Sequence, residues 1–227
     1  MSSYPLRHSA KTLRGLVRRV HNRAFGPAPR ATKDYATHLP VLVGLAQSFK
    51  IIRVLELGCG DFSSLTFLNR NIFPCLTHLT SLETNEIWLE RISKKLAEDS
   101  RFNPISLRSS MADGLEQVNL EEFDLVFVDD SMTAEDRKRT IETIYNKKPD
   151  RPFIVIHDFE VNEYRLAAKN FESRYIFKGL TPQTGVVWNG TRKNSALKKI
   201  DQTIKQLCGQ LEPDDLIEWK SAFEKQY

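Results

Sequence analysis

The chain has 227 residues, of which 41% are hydrophobic and 27% charged. That composition supplies one large core or two small ones and excludes wholesale disorder. Thirty-three Lys and Arg against 29 Asp and Glu leave a net charge of +4, and no apolar run reaches the ~18 residues of a membrane-spanning helix.

The first 33 residues hold eight basic side chains, from Arg7 to Lys33, and no acidic one; the rest hold 25 basic and 29 acidic, a net −4. Leu13, Leu16, Val17 and Val20 form one apolar stripe at helical spacing, with Arg14, Arg18 and Arg19 off it. Gly26-Pro27-Ala28-Pro29 reads as a linker. This arm has three readings: a helix packed on the domain or a partner, a contact for an anionic membrane or nucleic acid, or a cleaved organellar presequence. The expected organisation is a basic arm and linker over 1–36, a core domain over 37–190 and a helical tail over 191–227. The N-terminus lacks the apolar core of a secretory signal. Cys59, Cys75 and Cys208 match neither a disulfide framework nor CxxC zinc spacing, which predicts a reducing, cytoplasmic compartment.

The domain reads as alternating elements. A helix over Leu39–Phe49 has Pro40 in its first turn. An apolar strand follows over Ile51–Leu57, then a helix capped by Ser63 or Ser64 and running to Leu68. A strand over Thr77–Leu82 precedes a helix with Trp88, Leu89, Ile92 and Leu96 on one face. Next come a weak strand over Ile105–Arg108, a strong one over Phe123–Val128 and a polar helix over Ala134–Tyr145. A buried strand over Phe153–Ile156 and a helix over Tyr164–Phe171 lead to strands at Tyr175–Leu180 and Val186–Trp188. Only Thr181 to Gly185 separate these last two, so they form an antiparallel hairpin. In the tail, Leu197, Ile200, Ile204, Leu207 and Leu211 mark an amphipathic helix that docks on the domain or pairs in a homodimer. Pro213-Asp214-Asp215 opens a final short helix. Alternating strands and helices predict a mostly parallel sheet with helices on both faces, and a ligand crevice beyond the strands' carboxyl ends.

The residues at those ends carry the chemistry. The first strand runs into Glu56-Leu57-Gly58-Cys59-Gly60. A carboxylate at Glu56 would repel a dinucleotide's pyrophosphate and suits a ligand bearing a sulfonium and an ammonium, which argues for S-adenosylmethionine over NAD. Glu83, 23 positions after Gly60, ends the second strand, where it can accept from ribose hydroxyls. The fourth and fifth helix-flanked strands end in Asp129-Asp130 and His157-Asp158.

Taken in order and spacing, the glycine motif, Glu83, Phe123–Asp130, Phe153–Asp158 and the terminal hairpin resemble the class I S-adenosylmethionine-dependent methyltransferases. The resemblance covers residues 37 to 190 and implies a Rossmann-like α/β fold, a mostly parallel seven-stranded sheet with a C-terminal antiparallel hairpin. It also implies that Glu56, Gly58, Cys59 and Gly60 cradle the methionine end of the cofactor and that Glu83 holds the ribose. Ser110 and Met111 fall where the family lines the adenine, and Asp129 where the fourth strand meets the methyl group. Phe62 or Ser63 stands where many members have a third glycine; the Ser63-Ser64 variant resembles a subgroup acting on small molecules or sugars.

On the acceptor side, His157 is the candidate base or substrate orienter, assisted by Asp129 or Asp158; the alternative is a buried histidine bonded to backbone. Asp129, Asp130 and Asp158, with the imidazole of His157, are candidate ligands for Mg²⁺ or Mn²⁺ by resemblance to metal-dependent O-methyltransferases, from whose oxygen-only pattern the histidine departs. No proline follows Asp129-Asp130, as DNA amino-methylating enzymes require, and Pro74-Cys75 precedes the second strand, the wrong place for a cytosine nucleophile. Cys75 then reads as a small buried thiol, and His38 as an ordinary polar residue before a helix, with the alternative that it reaches the substrate side. These readings favour O-methylation of a small molecule or glycan. The rivals are a nucleic-acid methyltransferase or binding module that uses the arm, and a non-catalytic protein retaining the fold.

Overall fold

The computed structural model describes residues 36–131, 133–190 and 193–208. The arm helix around Leu13–Val20, the linker and the final helix after Pro213 lie outside the described residues. Within them the order is α1 (Leu39–Ser48), β1 (Arg53–Leu57), α2 (Ser63–Leu68), β2 (His78–Glu83), α3 (Glu86–Leu96) and β3 (Phe102–Ser106). Then follow α4 (Met111–Leu115), a 3₁₀ turn (Leu120–Glu122), β4 (Leu125–Val128), α5 (Ala134–Asn146), β5 (Phe153–Ile156) and α6 (Asn162–Ala167). The chain continues through β6 (Ser173–Phe177), β7 (Thr184–Trp188) and α7 (Lys193–Cys208).

The seven strands form one sheet in the order β3-β2-β1-β4-β5-β7-β6. The first five pair in parallel, whereas β7 pairs antiparallel with both β5 and β6. The expected fold class, a mostly parallel seven-stranded sheet with an antiparallel C-terminal hairpin, is therefore present. The weak third strand sits three residues earlier than its expected start. Its Pro104 lacks a ladder N–H, and β3 is an edge strand bonded only to β2, where that loss is tolerated.

Alternation along the central strands sorts side chains between two cores. Val54, Leu125, Phe127, Phe153 and Val155 face α1, α3 and α7; Leu55, Leu57, Val126, Val128, Ile154 and Ile156 face α4, α5 and α6. The tail helix belongs to the first core. Ala196, Ile200 and Ile204 are buried in it, and Ser48 Oγ of α1 donates to Thr203 Oγ1 at 2.8 Å. So the described part of the tail packs on the domain.

Candidate functional site

Parallel register brings the ends of β1, β4 and β5 to one level. Leu57 pairs with Val128, and Val128 with Ile156. One residue further, Gly58 lies beside Asp129 and Asp129 beside His157; Asp129 N donates to Leu57 O and His157 N to Val128 O. The order reverses between β1 and β4, the switch point at which α/β sheets open a crevice.

Gly58 is the seam of this level. Its φ is +85°, and a Cβ there would stand 2.2 Å from Asp129 O. The glycine is therefore required by the approach of the chain's own β4 end, and not by approach of a ligand alone. The turn after it is braced. Trp88 Nε1 donates to Cys59 O, and Asp61 is paired with both Arg91 and Lys95. Cys59 is buried, and burial pushes its thiol pKa up, with Glu56 and Glu83 adding to the effect.

Glu56 points down from β1 into a fully buried pocket. Ser64 Oγ donates to its Oε2 at 2.7 Å and Ser81 Oγ donates to the same oxygen, while Oε1 has no partner. Burial raises the Glu56 pKa to about 7, against the pull of these hydroxyls. Ser64 Oγ also accepts from Gly60 N at 3.0 Å, so Glu56 shapes the turn through Ser64. This corrects the expected cap. The residue before α2 is Phe62, without a side-chain capping bond, because Ser64 is already committed to Glu56 and Gly60.

Glu83 is built differently. Oε1 accepts from Thr84 N and Asn85 N, each at 2.8 Å, and Oε2 accepts from Cys59 N at 3.2 Å. Oε2 also takes a weak contact from Cys59 Sγ at 3.8 Å, so Oε1 is filled by two amides while Oε2 is held by one amide and a weakly donating thiol. Among the adenine-side candidates, Ser110 caps α4 by accepting from Asp113 N at 3.2 Å. Met111 is buried in the second core, so its side chain supports the crevice from beneath, a correction to the expected lining role.

The β4 and β5 ends hold the second cluster. Alternation turns Asp129 toward the α1 side and Asp130 toward α5. Arg137 of α5, 5% exposed, stands among the acids. Its Nη2 meets Asp129 Oδ1 at 2.8 Å, its Nη1 meets Asp158 Oδ2 at 2.9 Å, and its Nε faces Asp130 Oδ1 at 3.8 Å. Asp130 Oδ2 also accepts from Thr140 Oγ1 at 2.7 Å. Burial raises the Asp130 pKa to about 6. For Asp129 burial acts in the same sense, but His157 and Arg137 outweigh it and hold the carboxyl below the usual range. The three carboxylates expected as metal ligands, Asp129, Asp130 and Asp158, do not converge on an open centre: the Arg137 guanidinium stands among them, and Asp130 is turned toward α5.

His157 is 3% exposed. Its Nε2 lies 2.8 Å from Thr37 Oγ1; its Nδ1 lies 3.3 Å from Asp129 Oδ2 and 3.6 Å from Asp158 Oδ1. Burial lowers its pKa, but Asp129 and Asp158 more than offset that and raise it above the ordinary value. Asp158 adopts φ +55°, a strained conformation for a non-glycine residue at a strand end. Of two further members of this cluster, the sequence offers His38 as one that could reach the substrate side and gives no sign of Arg137. Arg137 reads as one more charge on a polar helix. His38 sits 2% exposed before α1, with its ring 5.0 Å from that of His157. Cys75, expected buried, is exposed in the turn before β2.

The sheet order, five parallel strands followed by an antiparallel hairpin, is that of the Rossmann-like α/β fold. Solved structures agree at that level. A Staphylococcus aureus protein named for caffeoyl-CoA O-methyltransferase aligns at TM-score 0.53 and 16% identity, over 80% of this chain and 92% of that one. The MycE methyltransferase of the mycinamycin pathway, in complex with Mg, S-adenosylhomocysteine and mycinamycin VI, aligns at TM-score 0.52 and 15% identity. That match spans 78% of this chain and 55% of MycE. A Corynebacterium glutamicum protein aligns at TM-score 0.51 and 15% identity, over 79% and 92% of the two chains. At these identities the likeness is one of fold. No family profile matches the chain, and no curated protein matches it by sequence.

Proposed function

We propose that the protein is an S-adenosylmethionine-dependent methyltransferase acting on a hydroxyl of a small molecule or sugar. The observation that carries this reading is the Glu83 carboxylate. Three backbone amides anchor it, and the remaining contact on Oε2, from Cys59 Sγ at 3.8 Å, is a weak one that a ribose hydroxyl can replace. When bound, S-adenosylmethionine supplies an electrophilic methyl group on a sulfonium.

The chain's own residues bind and orient. Glu83 holds the ribose, the Gly58-Cys59-Gly60 turn receives the methionine end, and the start of α4 at Ser110 borders the adenine side. Asp129 and Glu56 give the β1 and β4 ends a negative character that suits a cationic cofactor. The acceptor hydroxyl meets Asp129, His157 and Asp158. A hydroxyl becomes a competent nucleophile as its proton leaves. The Asp129–His157 pair is the group that takes this proton, because the carboxylate raises the proton affinity of the imidazole it faces. The O-methyltransferase name of the S. aureus neighbour supports oxygen as the acceptor atom.

Titration calorimetry with S-adenosylhomocysteine tests the reading. Wild type binds, and Glu83→Ala weakens binding roughly 10- to 100-fold, as loss of charge-assisted hydrogen bonds predicts. Absence of binding by wild type, or equal binding by the variant, sinks the cofactor assignment.

A further inference from the structure

His38 is 2% exposed, and neither ring nitrogen has a hydrogen-bond partner. A buried polar group left unpaired costs about 1–3 kcal/mol, so its retention calls for a ligand. The ring is held in place, tilted on Phe127 at 4.8 Å and edge-on to His157 at 5.0 Å. One nitrogen of His38, one nitrogen of His157 and one carboxylate oxygen of Asp129 all lie within 4.8 Å of one another.

We propose that His38, Asp129 and His157 form a site for one divalent first-row transition-metal ion. The surrounding groups orient all three. His157 Nε2 is engaged by Thr37 Oγ1, which turns Nδ1 toward Asp129 Oδ2. Arg137 holds Asp129 by Oδ1 and leaves Oδ2 facing the two imidazoles. Such outer contacts are what fix ligand direction in metal sites. Two imidazoles and one carboxylate select Zn²⁺, Fe²⁺ or Co²⁺ over Mg²⁺, which prefers oxygen. Ligand atoms around a tetrahedral Zn²⁺ stand roughly 3.3 Å apart, which His157 Nδ1 and Asp129 Oδ2 already match at 3.3 Å, so the remaining closure falls on His38. The set shares Asp129 and the imidazole of His157 with the one expected from sequence, and replaces the other carboxylates by His38.

The inference rests on the proposed reading for its role alone. Beside the acceptor hydroxyl, the ion would lower that hydroxyl's pKa, with His157 then a ligand and no longer the proton acceptor. Occupancy is tested without any substrate. Co²⁺ is titrated into the metal-free full chain, followed by visible d–d absorption and calorimetry. Wild type is expected to bind one Co²⁺ per chain, displaced by Zn²⁺ and not by Mg²⁺. His38→Phe keeps the ring packed on Phe127 but removes the nitrogens; it is expected to bind at least about tenfold more weakly. S-adenosylhomocysteine affinity, measured on the same metal-free samples, reports on the cofactor reading separately and shows that the variant is folded. Cofactor binding without Co²⁺ binding by wild type overturns the metal site alone. So does equal Co²⁺ affinity in wild type and His38→Phe, which would place the ion elsewhere.

Discussion

The carboxylates at the ends of β1 and β2 are stabilised by neutral groups, and those at the ends of β4 and β5 by a charge. Glu56 is met by serine hydroxyls, and Glu83 by three backbone amides and the Cys59 thiol. Asp129 and Asp158 share the buried guanidinium of Arg137. Neutral donors bring no positive charge to the first pair, and the buried Glu56, with its pKa raised to about 7, shares its site with a proton around neutral pH. The second cluster balances its charge internally and can exchange a proton, or an ion, at His157. In the proposed function, one sheet thus carries a binding half and a reacting half, joined at Gly58.

Breaking the joint has the largest expected effect. Gly58→Ala places a methyl group against Asp129 O, in a backbone conformation that alanine disfavours. Overpacking and strain together predict a loss of about 4 kcal/mol in chemical denaturation. A variant as stable as wild type would show that the two strand ends are not tightly coupled. Next, Arg137→Ala strikes only the reacting half. Leaving Asp129 and Asp158 without their counter-charge costs about 3 kcal/mol, on the low side for a buried pair because both acids are partly exposed. S-adenosylhomocysteine binding should persist in this variant; its loss would mean that the halves share one electrostatic framework.

The smallest effect belongs to the binding half and appears as a pH dependence. The folded Glu56 has its pKa raised from 4.5 to about 7. The folded state therefore holds this proton more tightly than the unfolded chain, and stability falls as pH rises from ~4.5 through ~7, by about 2–3 kcal/mol. Glu56→Gln removes that contribution. The wild-type-minus-variant stability difference, measured by urea melts at pH 5 and pH 8, should shift against wild type at the higher pH. A difference independent of pH would contradict the burial account. Asp130 titrates in an overlapping range but is common to both proteins, so it cancels.

Much of this architecture was readable because strands and helices announce themselves by short-range pattern. Phe153–Ile156 is a strand at its expected residues, and Val54, Phe127 and Val155 sort to one face by simple alternation. The same rule, applied past the strand ends, already separates Asp129 from Asp130. What it does not give is the partner met on each side. Ser64 reads as a cap but bonds Glu56 and Gly60. Met111 reads as a lining residue but fills the core. Arg137 lies on a helix whose composition is polar throughout, and its burial among three acids has no local signal.

The sequence by itself determined the strand order of chemistry: glycine turn, acid, acid pair, histidine-acid pair, each at the end of an apolar strand. These are local features, set by hydrogen-bonding geometry and side-chain period. The tertiary structure alone decided which of them meet. His38 and His157 are 119 positions apart in the chain and stand ring to ring because α1 packs over the β4 and β5 ends. Contacts over that distance depend on how layers pack, and no short stretch of sequence contains them.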